Sequence, residues 1–244
     1  MTHDYANILF TGPCNLRCYE CIGEHPALRG LPSNHDSFPP KNIDALIERV
    51  NAERIPDLAF TGTDMDPQLY RHEERLIHYV RERITGQTKL SLHTNGQLAL
   101  RRIDVFNQYD KASISLHSYD PATYHAITQG RHPPDIEAIL SRATIPIKLS
   151  LLITPHNIHE IEDYLARSAR IGITRVVVRK LKGREDEFPI ERKTPFAEKQ
   201  PIKRVFGWPV YAIHGMEVTI CGFDQSTARG LYLFSDGRME DRLV

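Results

Sequence analysis

The 244-residue chain has few cysteines, no excess of either charge and no long apolar run, and each shortage closes off a class of function. Lysine plus arginine and aspartate plus glutamate both number 31, a formal net charge of zero with histidine neutral. Bulk charge therefore draws the protein neither to nucleic acid nor to an anionic membrane, and neither is an expected partner. No apolar stretch approaches the roughly 18–20 residues of a membrane span. The first residues, Met1-Thr2-His3-Asp4-Tyr5, lack the basic and then apolar segments of a secretory signal, so the expected location is the cytoplasm. Only four cysteines occur, Cys14, Cys18, Cys21 and Cys221. A disulfide framework would scatter its cysteines along a smaller chain. Three of the four packed into positions 14–21, in a reducing compartment, point to a metal site.

What is present is an alternation. Apolar, β-branched runs at 6–10, 57–61, 89–93, 111–116, 145–153 and 173–181 read as strands. Between them, 42–53, 67–84, 98–109 and 158–169 have helical period, and Pro121 stands where a further helix would start. The stripe Ile43, Leu46, Ile47 and Val50 shows the pattern. Strands separated by helices predict a parallel sheet with right-handed crossovers, either an open doubly wound sheet or a partial barrel. Both place ligands at the C-terminal ends of the strands. The cysteine loop after strand 1, Thr61–Asp64, Thr94–Gly96 and His117–Asp120 all fall on that rim. A Pro-rich loop over 24–40 follows the cysteines. Residues 1–181 form the expected core, 182–204 a charged linker or lid with Pro189, Pro195 and Pro201, and 205–244 a β-rich extension. Strands are expected there at 210–213, 217–220 and 231–234, with Asp236-Gly237 as a hairpin turn.

The cysteines have the spacing C-x3-C-x2-C. Three thiolates on one loop can hold three corners of a [4Fe–4S] cube, and with no fourth cysteine nearby the last iron stays open to a ligand that is not protein. Three other readings compete: a structural zinc with His25 as fourth ligand, an electron carrier that uses distant Cys221, and three inert buried thiols.

This motif after strand 1 of a (β/α) chain resembles the radical S-adenosylmethionine (radical SAM) superfamily, over about residues 6–180. The resemblance implies an α/β fold, a partial (β/α)6 TIM-like barrel, with Cys14, Cys18 and Cys21 holding a [4Fe–4S] cluster. It implies that the open iron binds S-adenosylmethionine and that a 5′-deoxyadenosyl radical then abstracts a hydrogen atom from substrate. Gly62, Thr63 and Asp64 stand where the family carries Gly-Gly-Glu and receives the methionine ammonium. Asn95 and Ser115 fall where relatives contact cofactor ribose or carboxylate, and Arg179 is placed to reach an anionic group of cofactor or substrate. Glu20 occupies the position whose backbone meets the adenine, although the family usually has an aromatic residue there and this chain has Tyr19 one place earlier. Pro155-His156-Asn157 and the helix-rich middle look closest to the pyranopterin-synthase-like and peptide-modifying branch.

The resemblance further implies a low-potential electron donor, flavodoxin or ferredoxin, and a peptide, sugar or nucleotide-like substrate. The alternatives are a glycyl-radical-enzyme activase and a non-catalytic iron–sulfur sensor. Cys221 is either a small buried hydrophobe or, as in radical epimerases, a hydrogen-atom donor to the substrate radical, delivered to the barrel mouth by a turn at Gly222-Phe223-Asp224. It cannot by itself build an auxiliary cluster. His93, His117 and His125 cluster near strand ends 3 and 4 as candidate bases, with His117 foremost, or as local hydrogen-bonding residues.

Overall fold

The computed structural model describes residues 2–222 and 226–243. Its core strands are β1 (Tyr5–Phe10), β2 (Asp57–Gly62), β3 (Lys89–Thr94), β4 (Lys111–Ser115), β5 (Ile147–Leu152) and β6 (Arg175–Arg179). Between them lie α1 (Ile43–Glu53), α2 (Glu73–Arg81), α3 (Ile103–Phe106), α4 (Pro121–Thr128), α5 (Ile136–Arg142) and α6 (Ile161–Arg170). Each of α1, α2 and α6 buries one stripe, such as Ile161, Tyr164 and Leu165 of α6. Asp120 caps α4 by accepting from Thr123 N at 2.8 Å, with Pro121 in the first turn. The segment 98–109, expected as one helix, is helical only over Ile103–Phe106 and otherwise turns. Helix α5, capped by Asp135, was not anticipated.

Strands β1 to β6 lie side by side, all parallel, in chain order. The remaining strands are β7 (Lys203–Val205), β8 (Trp208–Ile213), β9 (Met216–Cys221), β10 (Gly230–Leu233) and β11 (Met239–Glu240). They extend the same sheet at both edges. β9 joins β6 in parallel, with Arg179 beside Cys221, and β10 joins β1 in parallel, with Asn7 beside Tyr232. Antiparallel β8 and β7 follow outside β9, and β11 outside β10 across the turn at Gly237. The result is an 11-stranded curved sheet with no pairing between its two ends among the described residues, hence an open barrel.

The charged segment after β6 is anchored: Ile190 and Phe196 are fully buried in the main core, and Lys180 pairs with Glu191 at 2.6 Å. Strand alternation gives the sheet two unlike faces. Ile8, Phe60, Leu92, Ile114, Leu149 and Val178 pack outward under the helices and are essentially inaccessible. Register puts Asn7, Thr61, His93, Ser113, Lys148 and Arg179 on the inner face.

Candidate active site

The cysteine loop leaves β1 at the C-terminal rim and is pinned along its length. Arg17 N donates to Thr128 O at 3.0 Å and Tyr19 N to Ile127 O at 2.7 Å, so the end of α4 holds its middle. Asn34, from the Pro-rich loop, accepts from Thr11 N at 3.0 Å and donates to Leu9 O at 2.9 Å. Gly23 lies flush against the β2 loop: a Cβ there would stand 2.5 Å from Asp64 Cβ and 3.0 Å from Asp64 Cα. Gly62 is tighter still, since its Cβ would fall 1.8 Å from Met65 O. The Cys21 thiol donates to Thr63 O at 3.5 Å.

Burial pushes all three thiols up. For Cys14 the N–H groups of Leu16, Asp66 and Asn15 work against that rise, and for Cys21 the N–H of Gly23 does so. Cys18 goes up to about 12, through burial first and then the negative charges of Cys21 and Cys14. Three mutually repelling thiolates, each with a backbone N–H turned onto it, suit a cationic iron–sulfur cluster, which would bind them as thiolates. The donor set fits that group. Among the described residues no three His, Cys, Asp or Glu side chains close on a single metal ion. A cube asks for a wider arrangement than zinc does, because each thiolate holds a different iron. His25 is engaged locally, its Nδ1 accepting from Ala27 N at 3.3 Å, and supplies no fourth zinc ligand.

The residues expected around the cofactor are brought together in part. Thr63 is buried, its Oγ1 lying 2.9 Å from Thr11 Oγ1 and 3.0 Å from the Phe10 carbonyl, so its side chain fastens β2 to β1. Asp64 is half-buried and accepts from Gly12 N through Oδ1 at 3.1 Å. Asn95 Nδ2 donates to Asn15 Oδ1 at 2.8 Å, linking the β3 loop to the residue after Cys14. Glu20 faces Arg184 at 3.1 Å, so the charged segment touches the cysteine loop. Ser115 sits half-buried at the end of β4, in register with Ser150, apart from this chain of contacts and with no hydrogen-bond partner for its hydroxyl among the described residues.

Asp66 was not foreseen. It is buried and accepts from Asn95 N at 2.6 Å, Thr94 Oγ1 at 2.8 Å and Gln68 N at 2.9 Å; burial still raises its carboxyl. One side chain thus sets the Asn95 turn while its backbone N–H serves Cys14. In sequence, Asp66-Pro67 signals only a cap on the turn Pro67–Leu69. Gly23, Asn34 and Asn15 carried no signal of their own.

His117 accepts from Leu152 N at Nδ1, 3.2 Å, and burial with the Arg179 charge lowers it to about 4, so it is a neutral donor through Nε2. His93 lies 3.2 Å from Thr61 Oγ1 and is held well below the usual imidazole range by burial and by Lys148, Arg179 and Lys111. His125 Nδ1 donates to Gly130 O at 3.2 Å. Arg179 Nε donates to Ser150 Oγ at 2.9 Å. Cys221 is buried beside Arg179 at the end of β9, its thiol pushed up by burial. Phe223 and Asp224 of the turn expected to present it lie outside the described residues.

An open parallel α/β barrel that carries a three-cysteine loop on its C-terminal rim defines an iron–sulfur protein of partial-barrel type. The chain belongs to the radical SAM superfamily, whose family model matches residues 8–168, more than half of its length. That family uses a [4Fe–4S] cluster and S-adenosylmethionine.

Among curated proteins, the GTP 3′,8-cyclase of Limosilactobacillus fermentum is 28% identical over 176 residues, 67% of this chain and 50% of that protein. A probable GTP 3′,8-cyclase of Thermoplasma volcanium is 24% identical over 163 residues, 64% and 47%. The chain thus spans about half the length of these relatives. Among solved structures, Streptococcus suis SuiB bound to S-adenosylmethionine superposes with a TM-score of 0.67 at 12% identity, covering 99% of this chain and 60% of SuiB. Coproporphyrinogen III oxidase (HemN) of Escherichia coli gives 0.51 at 14% identity, covering 78% and 47%. Among the described residues no helix is long and apolar enough to cross a membrane.

Proposed function

We propose that the protein is a radical SAM enzyme that reductively cleaves S-adenosylmethionine and takes a hydrogen atom from a substrate held in the barrel. The observation that carries this reading is the cysteine triad Cys14, Cys18 and Cys21 inside a family match over residues 8–168. The bound cluster and S-adenosylmethionine together supply a 5′-deoxyadenosyl radical as the hydrogen-abstracting agent. The chain's part is to hold and orient. The three thiolates grip the cluster. Asp64, with Gly62 and Thr63 shaping its loop, offers its second carboxylate oxygen to the methionine ammonium. Asn95 and Ser115 serve the ribose and carboxylate, and the backbone at Glu20 meets the adenine.

A flavodoxin or ferredoxin would deliver the electron, and a cytoplasmic setting keeps the free thiols reduced. The substrate is a small molecule or a peptide. The curated relatives are named for GTP cyclisation, and SuiB is known bound to its precursor peptide SuiA. Cys221, on the inner face beside Arg179, is our candidate for returning a hydrogen atom to the substrate radical. With Cys221→Ala, 5′-deoxyadenosine should still form while solvent-derived hydrogen disappears from the product; unchanged labelling removes Cys221 from the mechanism.

Anaerobic reconstitution with iron and sulfide, followed by dithionite and S-adenosylmethionine, tests the central reading. We expect 5′-deoxyadenosine and methionine by chromatography. A loaded cluster that leaves S-adenosylmethionine intact would overturn the enzyme and leave an iron–sulfur sensor.

A further inference from the structure

The inner face of the sheet carries more positive charge than its own residues balance. Lys111, at the start of β4, is neutralised by Asp57, whose other oxygen is taken by Ser91. Lys148 of β5 and Arg179 of β6 have no such neighbour: among the described residues neither pairs with a carboxylate. Among the described residues the Arg179 side chain makes one hydrogen bond, from Nε to Ser150 Oγ at 2.9 Å, and the two Nη groups of its fork have no partner. Register sets these groups side by side. Lys148 lies beside Ser113, Ser150 beside Ser115, and Arg179 beside Leu152. Lys148 and Ser150 are two residues apart on one strand, so they share the inner face. Arg179, bonded to Ser150, therefore reaches toward Lys148.

Both are half-buried, and a cation drawn partly out of water without a partner is costly unless something fills the gap. Here the surroundings make matters worse. Burial first, then the charges of Arg179, Lys111 and Arg175, lower Lys148 to about 8, and Asp57 offsets this only weakly. His93, in register with Ser113, is held neutral by burial first and then by the same cations, and adds no negative charge. A guanidinium fork, an ammonium and two hydroxyls, those of Ser113 and Ser150, are the donors that oxyanions take.

We propose that Lys148 and Arg179, with the hydroxyls of Ser113 and Ser150, form the seat of an anionic group on the substrate, a phosphate or a carboxylate. The seat lies inside the barrel below the cysteine loop, so the anionic end of the substrate points inward and its reacting carbon faces the rim. That the bound anion belongs to the substrate rests on the enzyme reading above; the existence of the seat does not.

The test titrates the purified, reconstituted protein at low salt with tripolyphosphate in one arm and citrate in the other, by calorimetry and by thermal midpoint. The arm that binds tells phosphate from carboxylate. In wild type we expect saturable binding and a midpoint that rises with the anion. Lys148→Gln should bind about thirtyfold or more weakly, as a removed charge partner commonly does. Lys148→Arg should stay within about threefold, and Lys199→Gln, an exposed cation elsewhere, should match wild type. Arg179→Gln, read the same way, replaces Lys148→Gln if that variant does not fold. Equal affinity in the charge-removed variants and wild type, or no binding of either anion by folded wild type, overturns the proposal. Release of 5′-deoxyadenosine is measured on the same sample. Cleavage without anion binding sinks the seat alone, and anion binding without cleavage sinks the enzyme reading alone.

Discussion

The two faces of this sheet are made by the same strands and follow opposite rules. The outward face is Ile, Leu, Val and Phe at essentially zero exposure, packed against the helices. The inward face, one residue out of step, is Asn7, Thr61, Ser91, His93, Ser113, Lys148 and Arg179. Apolar burial on the outer face drives folding. The inner face spends part of that stability on charges and hydroxyls that a merely stable sheet would not keep. Outward positions should therefore govern melting and leave chemistry alone, and inward and rim positions the reverse.

The largest effect expected is at the rim. Cys18→Ser should lose the cluster's visible absorbance and its reduced paramagnetic signal, and S-adenosylmethionine cleavage should fall to background, with the melting midpoint of the cluster-free protein little moved. A Cys18→Ser protein that still loads a catalytic cluster would break the comparison at once. Next comes the outer face. Phe60→Ala removes a fully buried ring packed against Phe10 and Tyr109, and should cost about 3–5 kcal/mol by denaturant unfolding. The folded fraction should keep its cleavage rate; a lower rate per folded molecule would show that the faces are not separable. Gly62→Ala sits where they meet. Its Cβ would collide with Met65 O, so a loss of about 1–3 kcal/mol should come with weaker S-adenosylmethionine binding, both read on one sample.

Ser115→Ala sharpens the contrast from the inner side. With no partner to lose, it should shift stability by less than about 0.5 kcal/mol, while KM for S-adenosylmethionine rises several-fold. An unchanged KM would remove Ser115 from the cofactor site. The smallest effect is far from the rim, at Glu53. Burial pushes its carboxyl up, but hydrogen bonds from His3 and Arg49 outweigh that and hold it at about 2. A depressed carboxyl gives stability that is present above its ordinary value of 4.5 and lost as pH falls toward about 2. Glu53→Gln should flatten the acid limb of the melting-temperature curve between those values and leave cleavage at neutral pH untouched. An unaltered acid limb would refute the assignment.

The outer face was largely legible in the sequence because its rule is local. Period two in Lys89–Thr94 and period 3.6 in Ile43–Glu53 need no knowledge of neighbours. The cysteine loop was legible because its spacing is itself the chemistry. What escaped was everything decided at a distance. Asp66 looks like a turn cap and is instead the buried acceptor for Thr94 and Asn95, twenty-eight and twenty-nine residues on. Gly23 matters only because Asp64 lies against it. Helix α5 is seven residues long, too short for its period to stand out from the flanking turns. The polar inner residues looked like ordinary strand-end and turn residues until register put Lys148 and Arg179 on one face.

Strands that follow β6 in the chain flank the six core strands on both sides, β9 against β6 and β10 against β1. During synthesis β1 emerges well before β10, so its outer hydrogen-bonding edge waits for residues 230–233 to leave the ribosome. Until residues 216–221 follow, the β6 flank is bare as well, and both flanks of the nascent sheet are open to pairing with other chains. A polypeptide halted near residue 205 would keep the whole cysteine loop and both bare flanks, and its fate should be aggregation rather than a smaller working enzyme.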